Sequence, residues 1–185
     1  RWAPARVMAT LEDRKLQGCK IYTSAYLLST SGNVFDSKIR YTVYHVLDPL
    51  WKAGKLCGAP WRTNGLTLRV AFEWLVQFYG WGRFLAYEAI TDLRHTRYLC
   101  HAMDIQAWAN VGPGARRGLN SIYGRETDQS CPQQQLLDEL LYVTEWIRRR
   151  RDCILLPTLE PRDVEHSLCE AMKYWRAEES LRTGK

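Results

Sequence analysis

The chain has 185 residues, 46% of them hydrophobic and 25% charged, ordinary globular usage that excludes an intrinsically disordered chain. Its formal charge of +6 points to a polyanionic partner, and charge alone fits nucleic acid, an acidic protein or a membrane surface equally well. No apolar run approaches the roughly 20 residues that span a bilayer, and Arg1-Trp2-Ala3-Pro4 lacks the apolar stretch of a secretory signal, so an intracellular protein with no membrane partner is expected. The cysteines (Cys19, Cys57, Cys100, Cys131, Cys153 and Cys169) form no C-x-x-C pair. That suggests neither a zinc knuckle nor a redox motif and predicts reduced, mostly buried thiols.

Helical periodicity dominates the chain, and the one short strand candidate is Lys20 to Thr23. Leu11 to Leu16 belongs to a charged amphipathic helix. Ser37 can cap a helix through Ile39, Val43, Val46 and Leu50, interrupted near Pro49. A loop follows from Gly54 to Gly65. Thr67 to Tyr79 carries a broad apolar face, Gly80-Trp81-Gly82 breaks it, and a helix runs from Phe84 to Leu93. Asp104 is placed to cap a short helix through Trp108. A hairpin spans Val111 to Ala115, and the next helix starts near Arg116. Gly124 to Pro132 reads as a loop, Gln133 to Arg151 as a long helix ending in four arginines, and Arg162 to Leu181 as the closing helix. With no repeat and no low-complexity segment, the expected fold is all-α, a single compact helical domain over residues 1–185.

The stretch Trp108-Ala109-Asn110-Val111-Gly112-Pro113-Gly114-Ala115-Arg116-Arg117-Gly118-Leu119 carries the most chemistry. Glycine admits positive φ and lets another backbone approach closely. Proline fixes the turn, and the following helix begins with amide N–H groups that have no intrahelical partner, an anion site suited to phosphate. Arg116 and Arg117 add charge beside it. The pattern resembles the helix-hairpin-helix of DNA glycosylases, whose Gly-x-Gly turn donates N–H groups to DNA phosphates and so positions the protein without reading sequence. The competing reading is a tight αα-corner whose glycines only permit close helix packing.

Four blocks taken together resemble one family. They are Tyr22 to Tyr26, Gly80 to Glu88 with Thr91-Asp92-Leu93, Trp108 to Asn120, and Asp163 to Glu170 with Lys173-Tyr174. Their order is similar to that of the α-glutamyl/putrescinyl thymine pyrophosphorylases, the amino-acid and polyamine DNA transferases of phage thymine hypermodification. The likeness covers about Tyr22 to Arg176. It implies a glycosylase-like helical architecture and a distinctive reaction. A partner hydroxymethyluracil DNA kinase pyrophosphorylates 5-hydroxymethyluracil in DNA, and the transferase replaces pyrophosphate with the amine of an amino acid or polyamine. The setting it implies is the cytoplasm of a phage-infected bacterium, or a nucleus if the source is eukaryotic.

Such a displacement needs a stabilised leaving anion, a deprotonated amine and a flipped base held against aromatic rings. Glu88 and Asp92, four apart on one helical face, are candidates for the base or for stabilising positive charge on the reacting CH₂. Glu165 and His166 are candidates for holding the amine or relaying its proton. Asn110, Gly112, Gly114, Arg116, Arg117, Arg94 and Lys173 are candidates for binding DNA and phosphate, with Mg²⁺ as a candidate cofactor for the anion. Trp81, Tyr87 and Tyr26 are candidates for stacking on the base. Glycosylase chemistry is the alternative, with Asp128 in about the right region after the hairpin, and a non-enzymatic DNA-binding module is the third reading. No G-x-x-x-x-G-K-[ST] or G-x-G-x-x-G pattern occurs, so the sequence gives no support to ATP or NAD binding.

Overall fold

The computed structural model describes residues 2–22, 37–56, 66–150 and 159–184. Every regular element among the described residues is helical, as the periodicity predicted. Lys20 to Tyr22 form no strand, and the rest of that candidate lies outside the described residues. The chain divides into two compact units, one of Arg1–Leu66 and Val70–Cys100, the other of Thr67–Arg69 and His101–Lys185.

In the first unit, α1 (Pro4–Leu16) begins on a proline, which the first helical turn accepts because its N–H would have no partner there. Helix α2 (Lys38–Arg40) is capped by Ser37, whose hydroxyl accepts the Arg40 N–H at 3.0 Å. It continues into a π-helical segment, Tyr41–Leu47, and then into α3 (Asp48–Leu56). The interruption expected at Pro49 is therefore a change of pitch. Proline has no N–H to offer His45 O and its ring crowds that carbonyl. The chain widens instead, with the Asp48 N–H reaching back five residues to Val43 O. The Trp81 indole N–H donates to Val46 O at 3.1 Å, supporting one of the carbonyls in this segment.

Helix α4 (Leu68–Leu75) ends earlier than the apolar pattern, which ran to Tyr79. Its last residues turn instead, with Phe78 N–H on Leu75 O, toward Gly80 at φ +81°. A side chain at Gly80 would lie 2.7 Å from Val46 Cγ2 and 3.1 Å from the Tyr41 hydroxyl. Only glycine meets both the left-handed backbone and the close approach. Helix α5 (Arg83–Leu93) follows and buries Ala86, Tyr87, Ile90 and Thr91.

In the second unit, α6 (Pro113–Ile122) packs chiefly on α8 (Pro161–Thr183), while α7 (Gln133–Arg149) lies against both. Arg125, just past α6, grips Glu139 of α7 through two bonds of 2.6 Å, tying that turn to the helix. One expectation is corrected here. Residues Asp104 to Ala107 form turns without a helix, and the Asp104 carboxylate instead caps α4, accepting the Leu68 N–H at 2.6 Å and the Arg69 N–H at 3.0 Å. At the end of α7, Arg148 Nε donates to Leu159 O at 2.9 Å, while Arg149 and Arg150 are exposed.

The thiols are less buried than expected. Cys19 is exposed in the polar segment after α1, while Cys100, Cys131 and Cys169 are partly exposed. Cys57 and Cys153 lie outside the described residues. No helix among the described residues is long and apolar enough to cross a membrane.

Candidate functional site

The head of α6 sets the geometry of the second unit. Asn110 and Val111 are buried on the approach, and Gly112 is the N-cap, in extended conformation at φ −79°, ψ 173°. Pro113 opens the helix, so the hairpin expected at Val111 to Ala115 is the first turn of α6, and the helix starts three residues before Arg116. The fixed φ of proline suits that position, and its missing N–H removes one of the donors a phosphate could use. Neither Gly112 nor Gly114 adopts positive φ.

The Gly112 N–H donates to Glu165 Oε1 at 2.9 Å. Glu165 is only 4% exposed, so α8 delivers a buried carboxylate to the positive end of α6. The start of α8 holds it in place through a reciprocal cap. The Glu160 carboxylate accepts from the third-residue amide, and the Asp163 carboxylate accepts the Glu160 N–H at 2.8 Å. Arg162 braces both acids, at 2.9 Å from Glu160 Oε2 and 3.3 Å from Asp163 Oδ1. His166 Nε2 lies 3.7 Å from the other Glu165 oxygen. One oxygen of Glu165 thus accepts an amide and the other lies near an imidazole, beyond hydrogen-bond distance.

The glycines do a second job. A side chain at Gly112 would lie 3.2 Å from Glu165 Oε1. One at Gly114 would collide with Cys169 Sγ and lie 3.2 Å from Cys169 Cα, and one at Gly118 would lie 3.0 Å from Leu168 Cβ. Gly114 and Gly118, four apart on one face, let the backbones of α6 and α8 approach closely. A valine at 114 is therefore expected to damage the helix packing itself, and loss of DNA binding in that variant would not separate the two readings of the hairpin. The role of Gly118 escaped the sequence reading, although the small-x-x-x-small spacing on one helix was its signal.

Around this core, Arg116 is half-buried with its Nε enclosed and without a hydrogen-bond partner among the described residues. Arg117 Nε pairs with Asp128 Oδ1 at 2.6 Å. The Asp128 carboxyl is held below the ordinary carboxylate range by the Arg117 hydrogen bond and charge, then by the charges of Arg176 and Arg116. Asp128 is thus an ionised partner of arginines, an environment opposite to that of a proton donor. Lys173 pairs with Glu170 at 2.5 Å on the exposed side of α8.

The other candidates lie in the first unit. Glu88 is half-buried and Asp92 exposed, both on α5. Tyr87 is buried, and Trp81 is half-buried with its N–H engaged by Val46 O. Arg94 follows α5 with Nη1 3.5 Å from Cys100 O. Tyr26 lies outside the described residues. Asn110, Gly112, Gly114, Arg116, Arg117, Glu165, His166 and Lys173 thus belong to the second unit, where Gly112 meets Glu165, and Trp81, Tyr87, Glu88, Asp92 and Arg94 belong to the first. No group of three or more His, Cys, Asp or Glu side chains suited to a metal occurs among the described residues.

Compared with known families, residues 1–183 match the family described as 5-hmdU DNA kinase, helical domain. No curated protein matches the chain, and no solved structure does.

Proposed function

This chain belongs to the 5-hmdU DNA kinase helical-domain family, a DNA-modification family of thymine hypermodification, and on that premise we propose that it acts on the phosphorylated base as an amine transferase. The observation that carries the reading is the match itself. It runs through both units and supports a hydroxymethylated uracil base in DNA as the group acted on. The resemblance of four sequence blocks to the amino-acid and polyamine DNA transferases supports the step that consumes the phosphorylated base.

In the proposed reaction the amine nitrogen attacks the base-attached CH₂ of 5-pyrophosphoryloxymethyluracil. A C–N bond forms, the C–O bond breaks and pyrophosphate leaves with the bonding pair. The amine proton passes to a carboxylate. Glu165 and His166 are assigned to the amine, and what supports this is a buried carboxylate, which needs a charged or hydrogen-bonding partner. Arg116 and Arg117 neutralise phosphate oxygens. Glu88 and Asp92 stand as candidates for the base and Trp81 and Tyr26 for stacking, while Tyr87 is taken up by the core of the first unit. The partners are DNA carrying the modified thymine, a hydroxymethyluracil DNA kinase that supplies it, and an amino acid or polyamine.

The test is release of pyrophosphate from duplex DNA carrying 5-pyrophosphoryloxymethyluracil, measured with and without a mixture of amino acids and polyamines. Amine-dependent release supports the transferase. A free base with an abasic site identifies a glycosylase instead. DNA binding without turnover supports a second reading, a helical module that holds DNA for a kinase. That reading is favoured by the family match, whose description names the helical domain of a DNA kinase.

A further inference from the structure

Asp128 has a setting that neither the transfer reaction nor the hairpin explains. It lies in the loop between α6 and α7, and that loop is pinned on both sides of it. Asn120, fully buried on α6, donates from its side-chain amide to Thr127 O at 3.0 Å and to Gln129 O at 2.9 Å. The two residues flanking Asp128 are therefore fixed to the body of the unit, and its carboxylate is presented to Arg117 at 2.6 Å. Yet 73% of the Asp128 side chain is exposed. A pair that open to water contributes little to folding, so the clamp is more than stability requires.

The cations around it outnumber it. Arg117 contacts Asp128 directly, and Arg116 of α6 and Arg176 of α8 are close enough for their charges to act on it. Arg116 Nε is enclosed without a hydrogen-bond partner among the described residues, and Arg176 is exposed. Arg117 thus holds the carboxylate directly, while Arg116 and Arg176, on two packed helices, act on it through their charge. Guanidinium groups favour planar oxyanions with two or more acceptor oxygens, and phosphate offers such oxygens with more charge than a carboxylate.

We propose that Asp128 is a built-in stand-in for phosphate at a site made by Arg116, Arg117 and Arg176, and that a phosphate oxyanion displaces its carboxylate. The carboxylate keeps the arginines ordered in the free protein. It leaves by side-chain rotation while Asn120 holds the backbone, and its charge opposes the incoming anion. The phosphate can come from the DNA backbone or from the pyrophosphate leaving group, two sources with one chemistry. The DNA source rests on the DNA-directed reading above. The arginine site itself does not.

The experiment is fluorescence anisotropy of a labelled, unmodified 20-base-pair duplex titrated with the full chain over a salt series, with inorganic pyrophosphate binding measured separately by calorimetry. Asp128→Asn should tighten DNA binding about two- to fivefold at low salt and steepen the log–log salt dependence by about one unit. Arg117→Gln and Arg176→Gln should each weaken binding, and Asp128→Asn should give no gain when Arg117 is already Gln. Thermal unfolding of each variant separates lost folding from lost binding. Tightening confined to pyrophosphate assigns the site to the leaving group. A salt-sensitive wild type whose affinity for both probes is unchanged or weakened by Asp128→Asn overturns the proposal. A wild type that binds no DNA, while Asp128→Asn takes up pyrophosphate more tightly, defeats the DNA-directed reading and keeps the arginine site.

Discussion

Alanine at position 114 is the sharpest probe of how α6 and α8 meet. In an open helix interior, exchanging Gly for Ala would stabilise by about 1 kcal/mol, and in the first turn, where Gly114 sits, the gain is smaller. Against it stands the packing. The new Cβ would collide with Cys169 Sγ and lie 3.1 Å from Cys169 Cβ and 3.2 Å from its Cα. The thiol can rotate away, but the Cβ and Cα of α8 yield only if the helix shifts. Overpacking of this kind typically costs ~1–3 kcal/mol. Subtracting a helix gain of about 0.5 kcal/mol leaves an expected net loss of about 0.5–2.5 kcal/mol. Urea unfolding followed by circular dichroism reads this as a lower midpoint at unchanged slope. With Cys169→Ala in the background, the clash with sulfur is gone and the carbon contact remains. The cost of Gly114→Ala should then fall by roughly 1 kcal/mol without vanishing, a coupling expected of neighbours. A Gly114→Ala chain as stable as wild type, or more stable, would refute the close approach of the two helices and return Gly114 to the phosphate-binding reading alone.

Other predictions follow from single contacts. Glu139→Gln leaves the Arg125 guanidinium without its carboxylate. With both side chains 13–15% exposed, the loss should be about 2–3 kcal/mol, below the ~3–5 kcal/mol of a fully buried pair. The Arg125 hydrogen bond holds the Glu139 carboxyl below its ordinary 4.5. Its stabilisation is therefore complete above about that pH and lost as pH falls through the depressed value, so the urea midpoints of wild type and Glu139→Gln should draw together as pH falls below 4.5. Asp104→Ala removes the cap of α4 and should cost about 1 kcal/mol, with faster amide exchange at Leu68 and Arg69. Glu165→Gln keeps an acceptor for the Gly112 N–H and should leave fold and DNA affinity near wild type while slowing transfer by about 10²-fold or more. Glu165→Ala should add a folding loss of about 1–3 kcal/mol from the orphaned amide.

What could be read from the sequence was what local spacing encodes. The helices from Arg83, Gln133 and Pro161 announced themselves by periodicity, and Ser37 capped where its side chain implied. The contacts that define the site run between distant residues. Asp104 looked like the cap of the residues that follow it, yet it caps a helix 36 residues earlier. Gly112 and Glu165 are 53 residues apart, so nothing near either one announces that the α6 head already holds an internal carboxylate. The same glycine motif suits a phosphate and a neighbouring helix, because both require the missing Cβ. The residues alone did not choose between them, and the placement of Cys169 and Leu168 shows the helix in contact. Pro113 could have been read as the first helical residue from its tolerance of that position, but the flanking glycines drew the reading to a turn.

The central claim is that the chain joins an amine to a modified thymine, and the most direct measurement is mass spectrometry of nucleosides. Duplex DNA carrying 5-pyrophosphoryloxymethyluracil would be incubated with the protein and a mixture of ¹⁵N-labelled amino acids and polyamines, then digested. The account predicts a thymidine derivative carrying the label at its 5-methylene carbon, formed by wild type and much reduced with Glu165→Gln. Recovery of only the starting nucleoside, from a protein shown to bind that same DNA, would contradict it.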